Sequence, residues 1–546
     1  MKGARAIAQI LKSEGTEYTF CFPANVVIEA GAEIEIKPIM ARTERTAVGM
    51  ADGYTRVNNG RRNAVVAVQH GPGVENTFGG VAQAFSDGTP LLVLPGGVPA
   101  NRWEVEPSFD AARNYQYITK WAARINEVGR IPEFFRRAYT YLRAGRPGPV
   151  LLELPLDVTA AELPDDALHY SPVKPVRSLA DPEMVQAAVA ALLAAKRPLI
   201  QAGLGALYAE AWDELREFAE LVQVPVTTTM VGKSSFPEDH PLALGSGGRS
   251  GPRPVAEWLR DSDFLFGIGA SFTVSDYEAP ILKGKVAAQV VADERDINKD
   301  YVTAFPLLGN AKLVLRQLIE EVKRQLGPDG RRGDEQVARA VKAAKESWLA
   351  EWLPRLTSDE EPISPYRLVW DLQQALDTRN VIATHDAGTP RDQMNPFWKA
   401  LVPNSYIGWG KSTHLGYGLA LAMGAKLARP DKTVLNLMGD AAFGMIGMDI
   451  ETAARYSIGT ITVVMNNGIL GGYEKHLPVA HKRYGTRFLS GNYSKVAEGL
   501  GAWSERVERP REIIPAVQRA VRATQEGRPA LLEVLTHEEP NLSIYW

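Results

Sequence analysis

The chain has 546 residues, 45% of them apolar and 23% charged, with a net charge of −3. That is the make-up of a soluble protein of about three domains, and it excludes a disordered chain and a strongly basic nucleic-acid binder. The single cysteine, Cys21, excludes a disulfide framework and a cysteine-built metal site; no apolar run reaches membrane-spanning length, and Met1–Gly15 lacks a signal-peptide core, so a cytoplasmic protein is expected.

In chain order, Met1–Gly15 reads as an amphipathic helix. Strands follow at Tyr18–Phe22, Lys37–Ala41, Ala64–Gln69 and Pro90–Leu94, separated by helices after Asn25, from about Glu44 through Arg56, and from about Glu75 to Ser86. This βαβα rhythm predicts a parallel sheet covered on both faces. The first domain, 1–165, closes on Gly145-Arg146-Pro147 running into Val150–Pro155, with Glu153 in the strand. Gly527-Arg528-Pro529 near the C-terminus runs into Ala530–Leu535 with Glu533 at the corresponding place. Repetition on this scale predicts that first and last domains share one fold, although chance likeness of two αβ connections is the competing explanation.

Ala160–Pro182, rich in proline and charge, reads as an ordered linker. A central α/β domain, 183–330, is expected to contain the helix Asp181–Ala194, the strand Pro198–Ala202, a Gly203-Leu204-Gly205 turn and a helix from Ala209 to Val222. Further strands are expected at Val224–Thr229, Phe264–Ile268 and Ala287–Val291. A lone Gly-x-Gly is weak evidence for a nucleotide, since tight helix entry turns occur throughout α/β domains. A second linker, Gly327–Pro365, contains a charged helix at Glu335–Trp352 and leads to the last domain, 366–546.

In the last domain, Thr433–Met438 is a β-branched run that breaks at Gly439-Asp440, continues through a helix-length segment, and returns as Thr460–Met465 ending in Asn466-Asn467. As a βαβ unit it puts Asp440 and Asn467 just past the carboxyl ends of neighbouring strands, where open α/β sheets bind ligands. One anionic and one neutral oxygen donor, beside the small residues Gly439, Ala441 and Ala442 at a helix start, suit a magnesium ion holding a diphosphate. An ordinary βαβ unit with a polar turn fits the spacing as well.

Taken together, these segments make the chain resemble the acetolactate-synthase-like branch of thiamine-diphosphate-dependent enzymes, over essentially its whole length. The family's Gly-Asp-Gly and paired asparagines are matched by Gly439-Asp440-Ala441 and Asn466-Asn467, at the family's separation. The resemblance implies three α/β domains, the first binding the cofactor's pyrimidine and the last its diphosphate. It also implies Mg2+ held by Asp440, Asn467 and the Ile469 carbonyl, with Gly439, Ala441 and Ala442 lining the diphosphate. The stretch Thr43-Glu44-Arg45-Thr46-Ala47 is similar to the family's His-Glu-x-x-Ala, which makes Glu44 the carboxylate that activates the aminopyrimidine; its alternative is a dipole-stabilised helix start. The usual histidine is Thr43 here, so no proton donor is expected there. In Gly408–Ala420 the resemblance makes Leu415 the apolar wedge that bends the cofactor, and the Thr413 carbonyl the acceptor for its amino group; a core leucine is the alternative.

For substrate, the resemblance points to Asn25 and His70, facing the reactive carbon from a partner subunit, with His70 transferring protons. A histidine merely capping a strand end is the competing reading. Phe109, Arg391, His414, Tyr473 and His476 lie in segments that line the pocket in relatives; each is equally compatible with packing, and Arg391 with a surface charge. The basic run His481–Arg483 reads as a solvated face. The implied activity is a carboligase joining pyruvate-like 2-oxo acids through a C2 carbanion or enamine. A lyase is the alternative, either a 2-oxo-acid decarboxylase or a relative of 2-hydroxyacyl-CoA lyase and oxalyl-CoA decarboxylase, whose diphosphate motif is similar to Gly439–Gly444. A cofactor-binding but inactive regulatory protein is the remote third. Gly269–Phe272 lacks the arginine expected beside FAD, which argues against a flavin. A homo-oligomer is expected, a dimer or, more in keeping with relatives, a tetramer, with small 2-oxo acid or aldehyde substrates and neither nucleic acid nor membrane as partner.

Overall fold

The computed structural model describes residues 1–546, and its backbone is organised by three six-stranded sheets in which every pairing is parallel. The first holds β1 (Tyr18–Cys21), β2 (Lys37–Met40), β3 (Ala64–Val68), β4 (Leu91–Gly97), β5 (Trp121–Arg124) and β6 (Val150–Pro155), in the order β2-β1-β3-β4-β6-β5. The second holds β7 (Pro198–Ala202), β8 (Val226–Thr228), β9 (Ala243–Ser246), β10 (Phe264–Ile268), β11 (Val286–Val291) and β12 (Phe305–Leu308), ordered β12-β11-β10-β7-β8-β9. The third holds β13 (Val381–His385), β14 (Tyr406–Ile407), β15 (Thr433–Gly439), β16 (Ile461–Asn466), β17 (Trp503–Val507) and β18 (Ala530–Leu535). Its order, β14-β13-β15-β16-β18-β17, is that of the first sheet strand for strand.

The repeated glutamates explain part of that likeness. Glu153 on β6 stands in register with Arg124 on the edge strand β5, and their side chains pair at 3.1 Å. Glu533 on β18 stands in register with Arg506 on β17 and pairs at 3.5 Å. Both carboxylates are fully buried. A buried charge is tolerated only with a partner, so each glutamate fixes where its edge strand docks.

First and third domains share one apolar core, which runs from Phe20, Tyr54 and Val66 through Leu419, Ala420 and Met423 to Met438 and Val464. At its centre the helix Glu44–Val57 lies on the helix Gly418–Ala428 with backbones nearly touching. A Cβ at Gly53 would stand 2.0 Å from the Leu421 carbonyl oxygen, and one at Gly424 would stand 1.9 Å from that of Met50. Only glycine permits such an approach. The contact is made within one chain.

One expected helix starts late and another is broken. The segment 209–222 begins only at Trp212, after a separate short helix Leu204–Tyr208. The crossover after Asp440 divides into Asp440–Ile446, a tight turn at Gly447–Asp449, and Ile450–Arg455. The linker helix runs from Gln336 to Leu356, a turn beyond its expected end. No helix is long and apolar enough to cross a membrane.

Candidate active site

The carboxyl ends of β15 and β16 lie side by side, Gly439 in register with Met465. Gly439 caps the helix Asp440–Ile446, so the carboxylate of Asp440 sits at the first helical position. Its oxygens accept the N–H of Ala441 at 2.8 Å and of Gly468 at 2.9 Å, which ties the Asp440 turn to the Asn467 turn. Asp440 is 3% exposed and has no cationic side chain within pairing distance. Burial pushes its carboxyl upward, and the amide donors only partly offset that. An unpaired buried carboxylate is costly, and a bound cation removes the cost. The Asn467 side-chain oxygen faces the same turn and accepts from Ile469 N–H at 3.1 Å. Gly388, past the end of β13, and Gly444, one turn along the helix from Asp440, have no atom within 4 Å of where a Cβ would stand. Asp440, Asn467 and the Ile469 carbonyl would offer an all-oxygen donor set with a single carboxylate, the chemistry that suits magnesium with phosphate completing the coordination.

Glu44 opens the helix Glu44–Val57, capped by Thr43, whose hydroxyl accepts from Thr46 N–H at 3.3 Å. Thr43 is thereby explained as a cap. The Glu44 carboxylate is 5% exposed and takes a hydrogen bond from Asn76 Nδ2 at 3.1 Å. Asn76 follows the His70-Gly71-Pro72-Gly73 turn, so the turn that presents His70 also aims Glu44. The first domain then grips the third domain through Asp449, which accepts from Arg42 N–H at 2.8 Å and from the Thr46 hydroxyl at 2.6 Å.

The segment Gly408–Gly418 lies between the two halves. Gly410, Thr413 and Gly416 have positive φ, +125°, +53° and +83°. For a β-branched residue such as Thr413 that conformation must be imposed by its surroundings. The imposing groups come from both sides. Arg56 donates to the Gly408 carbonyl at 3.1 Å, and Asp87 accepts the N–H groups of Gly410 and Lys411 at 3.2 and 3.1 Å. From the third domain, Asp386 accepts those of Gly416 and Gly418. Burial raises the Asp386 carboxyl to about 6. Leu415 is half-buried and packs against the shared core. The position a Cβ would take on Gly416 is 3.3 Å from the Ala442 carbonyl and 3.4 Å from Nη2 of Arg45, so the diphosphate helix, the Leu415 turn and the start of the Glu44 helix converge there.

The remaining candidates separate. His70 is half-buried at the end of β3, with Nδ1 buried and unpartnered; burial first, then Arg124 nearby, lowers its pKa and favours the neutral ring. Asn25 caps the helix Val26–Ala32 through its oxygen, while its amide donates to the carbonyls of Val68 and Leu94 at 2.9 and 2.8 Å. Those bonds bind the ends of β3 and β4 together and leave the side chain little capacity for substrate. Phe109 packs on the shared core. Arg391 is no surface charge. It is 1% exposed, bonded to Asp392 at 2.8 Å and stacked 4.7 Å over Tyr277 of the central domain. His414 lies against Gly79, its pKa lowered to about 4 chiefly by burial. Tyr473 and His476 are exposed on a loop that Arg487 anchors through the Leu470 carbonyl, Glu474 and Glu538. His481–Arg483 is the last turn of a short helix, with Lys482 and Arg483 exposed and His481 packed on Phe488.

In the central domain, the Gly203 and Gly205 turn packs on that of Gly269, with Gly205 N–H donating to the Gly269 carbonyl at 3.0 Å. A Cβ at Gly203 would stand 2.3 Å from that oxygen, so turn-to-turn packing accounts for the Gly-x-Gly. A small cleft of about 100 Å3, lined by these turns, Phe272, Glu278 and Lys411, lies alongside.

The fold and this site agree with comparisons against known proteins. Residues 1–117 match the N-terminal TPP-binding domain of thiamine pyrophosphate enzymes, 185–318 their central domain, and 386–534 their C-terminal TPP-binding domain. The chain belongs to the thiamine pyrophosphate enzyme family. Its relatives fall in the acetolactate synthase and carboligase branch. It is 31% identical to the "probable acetolactate synthase large subunit" of Methanococcus aeolicus over 100% of this chain and 93% of that protein. It is also 31% identical to its namesake in Methanocaldococcus jannaschii, over 98% and 92%. Identity to the glyoxylate carboligase of Escherichia coli O157:H7 is 27%, over 100% and 94%.

Proposed function

We propose that the protein is a magnesium- and thiamine-diphosphate-dependent carboligase that joins two small 2-oxo acids with loss of one CO2. The observation that carries this reading is the convergence at Gly416 of the Asp440 helix, the Leu415 turn and the helix of Glu44. The relatives' names, acetolactate synthase and glyoxylate carboligase, both describe such condensations. When bound, thiamine diphosphate supplies an acidic carbon that adds to a carbonyl and accepts the electron pair left by departing CO2. Asp440, Asn467 and the Ile469 carbonyl would hold Mg2+, and Glu44 would hold a proton at the pyrimidine nitrogen. Leu415 supplies bulk, the Thr413 carbonyl an acceptor, and neutral His70 a proton carrier near the reacting carbonyl. A flavin forms no part of the reading, and the active unit is taken to be a dimer or tetramer.

Mass spectrometry of products tests it. With pyruvate or glyoxylate offered separately to the protein with thiamine diphosphate and Mg2+, one product is expected with the mass of two substrates less CO2. An aldehyde alone would favour the lyase reading and overturn this one.

A further inference from the structure

The peptide between Leu415 and Gly416 is held at both ends by side chains from different domains. Its carbonyl accepts from Nη2 of Arg45, the residue that follows Glu44 on the first-domain helix. Its N–H donates to Oδ1 of Asp386 at 2.8 Å, and Oδ2 of the same carboxylate accepts Gly418 N–H at 2.9 Å. Asp386 is fully buried, and its Oδ1 also takes Ala387 N–H at 2.8 Å, so the whole carboxylate is committed to backbone donors, two of them just after Leu415. Arg45 is drawn out of water for little else. Its Nε is buried without a partner, and burial lowers its pKa against the opposing attraction of Asp386. Burying a guanidinium to reach one neutral carbonyl is a poor source of stability, which points to a role in geometry. The family pattern His-Glu-x-x-Ala leaves this position open, so the motif does not account for it.

We propose that Arg45, acting with Asp386, is a positioning residue that makes the Leu415 wedge and the Glu44 carboxylate one rigid unit. The helix that aims Glu44 also grips the carbonyl of the residue whose side chain must press on the cofactor. A displacement of either relative to the other would then misplace the groups that are to hold the cofactor's two rings. Misplacements of about 1 Å cost on the order of 100-fold in rate in positioned reactions. The proposal rests on the thiamine diphosphate reading, and its test is arranged so that the two can fail separately.

In the cofactor-free protein, amide hydrogen exchange at Gly416 should be at least about tenfold faster in Arg45→Met than in the wild type, while helix Gly418–Ala428 keeps its protection. With thiamine diphosphate and Mg2+ bound, Arg45→Met should slow exchange of the cofactor's C2 proton about 10- to 100-fold while changing cofactor affinity less than about threefold. Arg45→Lys, which keeps the charge and is the milder change for folding, should recover part of the rate. In a Leu415→Ala background the Arg45→Met change should slow exchange by less than about twofold, because the wedge it positions is gone. Wild-type amide protection at Gly416 in Arg45→Met, or full additivity with Leu415→Ala, would overturn the proposal. A wild type that binds no thiamine diphosphate would overturn the functional reading instead, and the amide exchange would still decide whether Arg45 holds the turn.

Discussion

Replacing Gly53 by alanine sets two effects of known sign against each other. Gly53 is interior to the helix Glu44–Val57, where alanine is intrinsically better than glycine by about 1 kcal/mol. The new methyl, however, would stand 2.0 Å from the Leu421 carbonyl oxygen, 2.8 Å from its carbon and 2.9 Å from its Cα, all backbone atoms that no side-chain rotation can clear. Restoring ordinary contact requires the two helices to separate by roughly 1 Å, and overpacking of this kind costs about 1–3 kcal/mol or more. With only immovable backbone in the way the cost lies at the upper end of that range, so packing wins and a net loss of about 2 kcal/mol is expected after the propensity gain. Because Glu44 and Leu415 ride on opposite sides of this contact, the cofactor-dependent rate should fall about 100-fold. Gly499 is the control, exposed at the end of its helix with nothing within 4 Å of its Cβ position. Calorimetry should show Gly499→Ala equal to or above the wild type and Gly53→Ala below it, with cofactor-dependent rate lost only in the latter. If Gly53→Ala melts like Gly499→Ala and keeps its rate, the helices do not pack as described.

Asp440→Asn should act oppositely on the two forms of the protein. It should raise the melting temperature of the cofactor-free protein by removing an unpaired buried charge, and weaken thiamine diphosphate binding by at least about 100-fold, both read by calorimetry. Chelation of Mg2+ should release the cofactor from the wild type, and retention would count against Asp440, Asn467 and Ile469 as its ligands. His385 supplies a pH test. It is fully buried, stacked on Trp409, donates to the Asp386 carbonyl at 3.1 Å, and has its pKa pushed down to about 3 by burial and, secondarily, by Arg391. A base whose folded pKa lies below its unfolded value stabilises fully above about 6.5 and loses that contribution as the pH falls toward 3. At pH 5 the loss is about 2 kcal/mol, so urea denaturation should show the wild type losing about that much more than His385→Gln between pH 7.5 and 5. Equal losses would show that the ring is solvated.

The elements legible from sequence are the interior ones. β1, β3, β7 and β10 are short apolar or β-branched runs buried on both faces, and their positions follow from composition alone. Apart from β13, the strands that the pattern does not announce lie at sheet edges. β5, β9, β12, β14 and β17 are short, and β5, β12 and β17 are partly exposed, so period and apolarity are diluted. What docks β5 and β17 is an ion pair with Glu153 and Glu533, and the repeated glutamate was the visible half of that signal.

The candidate site divides the same way. Glu44, Asp440 and Asn467 stand at helix starts and strand ends, where short-range spacing marks them. Asn76, Asp87, Asp386 and Asp449 reach their partners over long sequence separations and carry no local signature. Asp386 had the nearest thing to one, a strand running into Asp386-Ala387-Gly388 with positive φ at the glycine and a helix after it. Asn25 shows the converse hazard, a side chain at the right strand end whose hydrogen bonds serve the fold. Sequence position locates a residue at the rim of a sheet, but only its partners show whether it is free for chemistry.

The central claim is that Glu44 and the Asp440 turn are two halves of one cofactor site, and exchange of the bound cofactor's C2 proton in Glu44→Gln tests it most directly. Glutamine keeps the size and can still meet Asn76, but it cannot hold the proton. The account predicts thiamine diphosphate and Mg2+ bound within a few-fold of wild-type affinity and exchange slowed by at least about 100-fold. Exchange at the wild-type rate would contradict it.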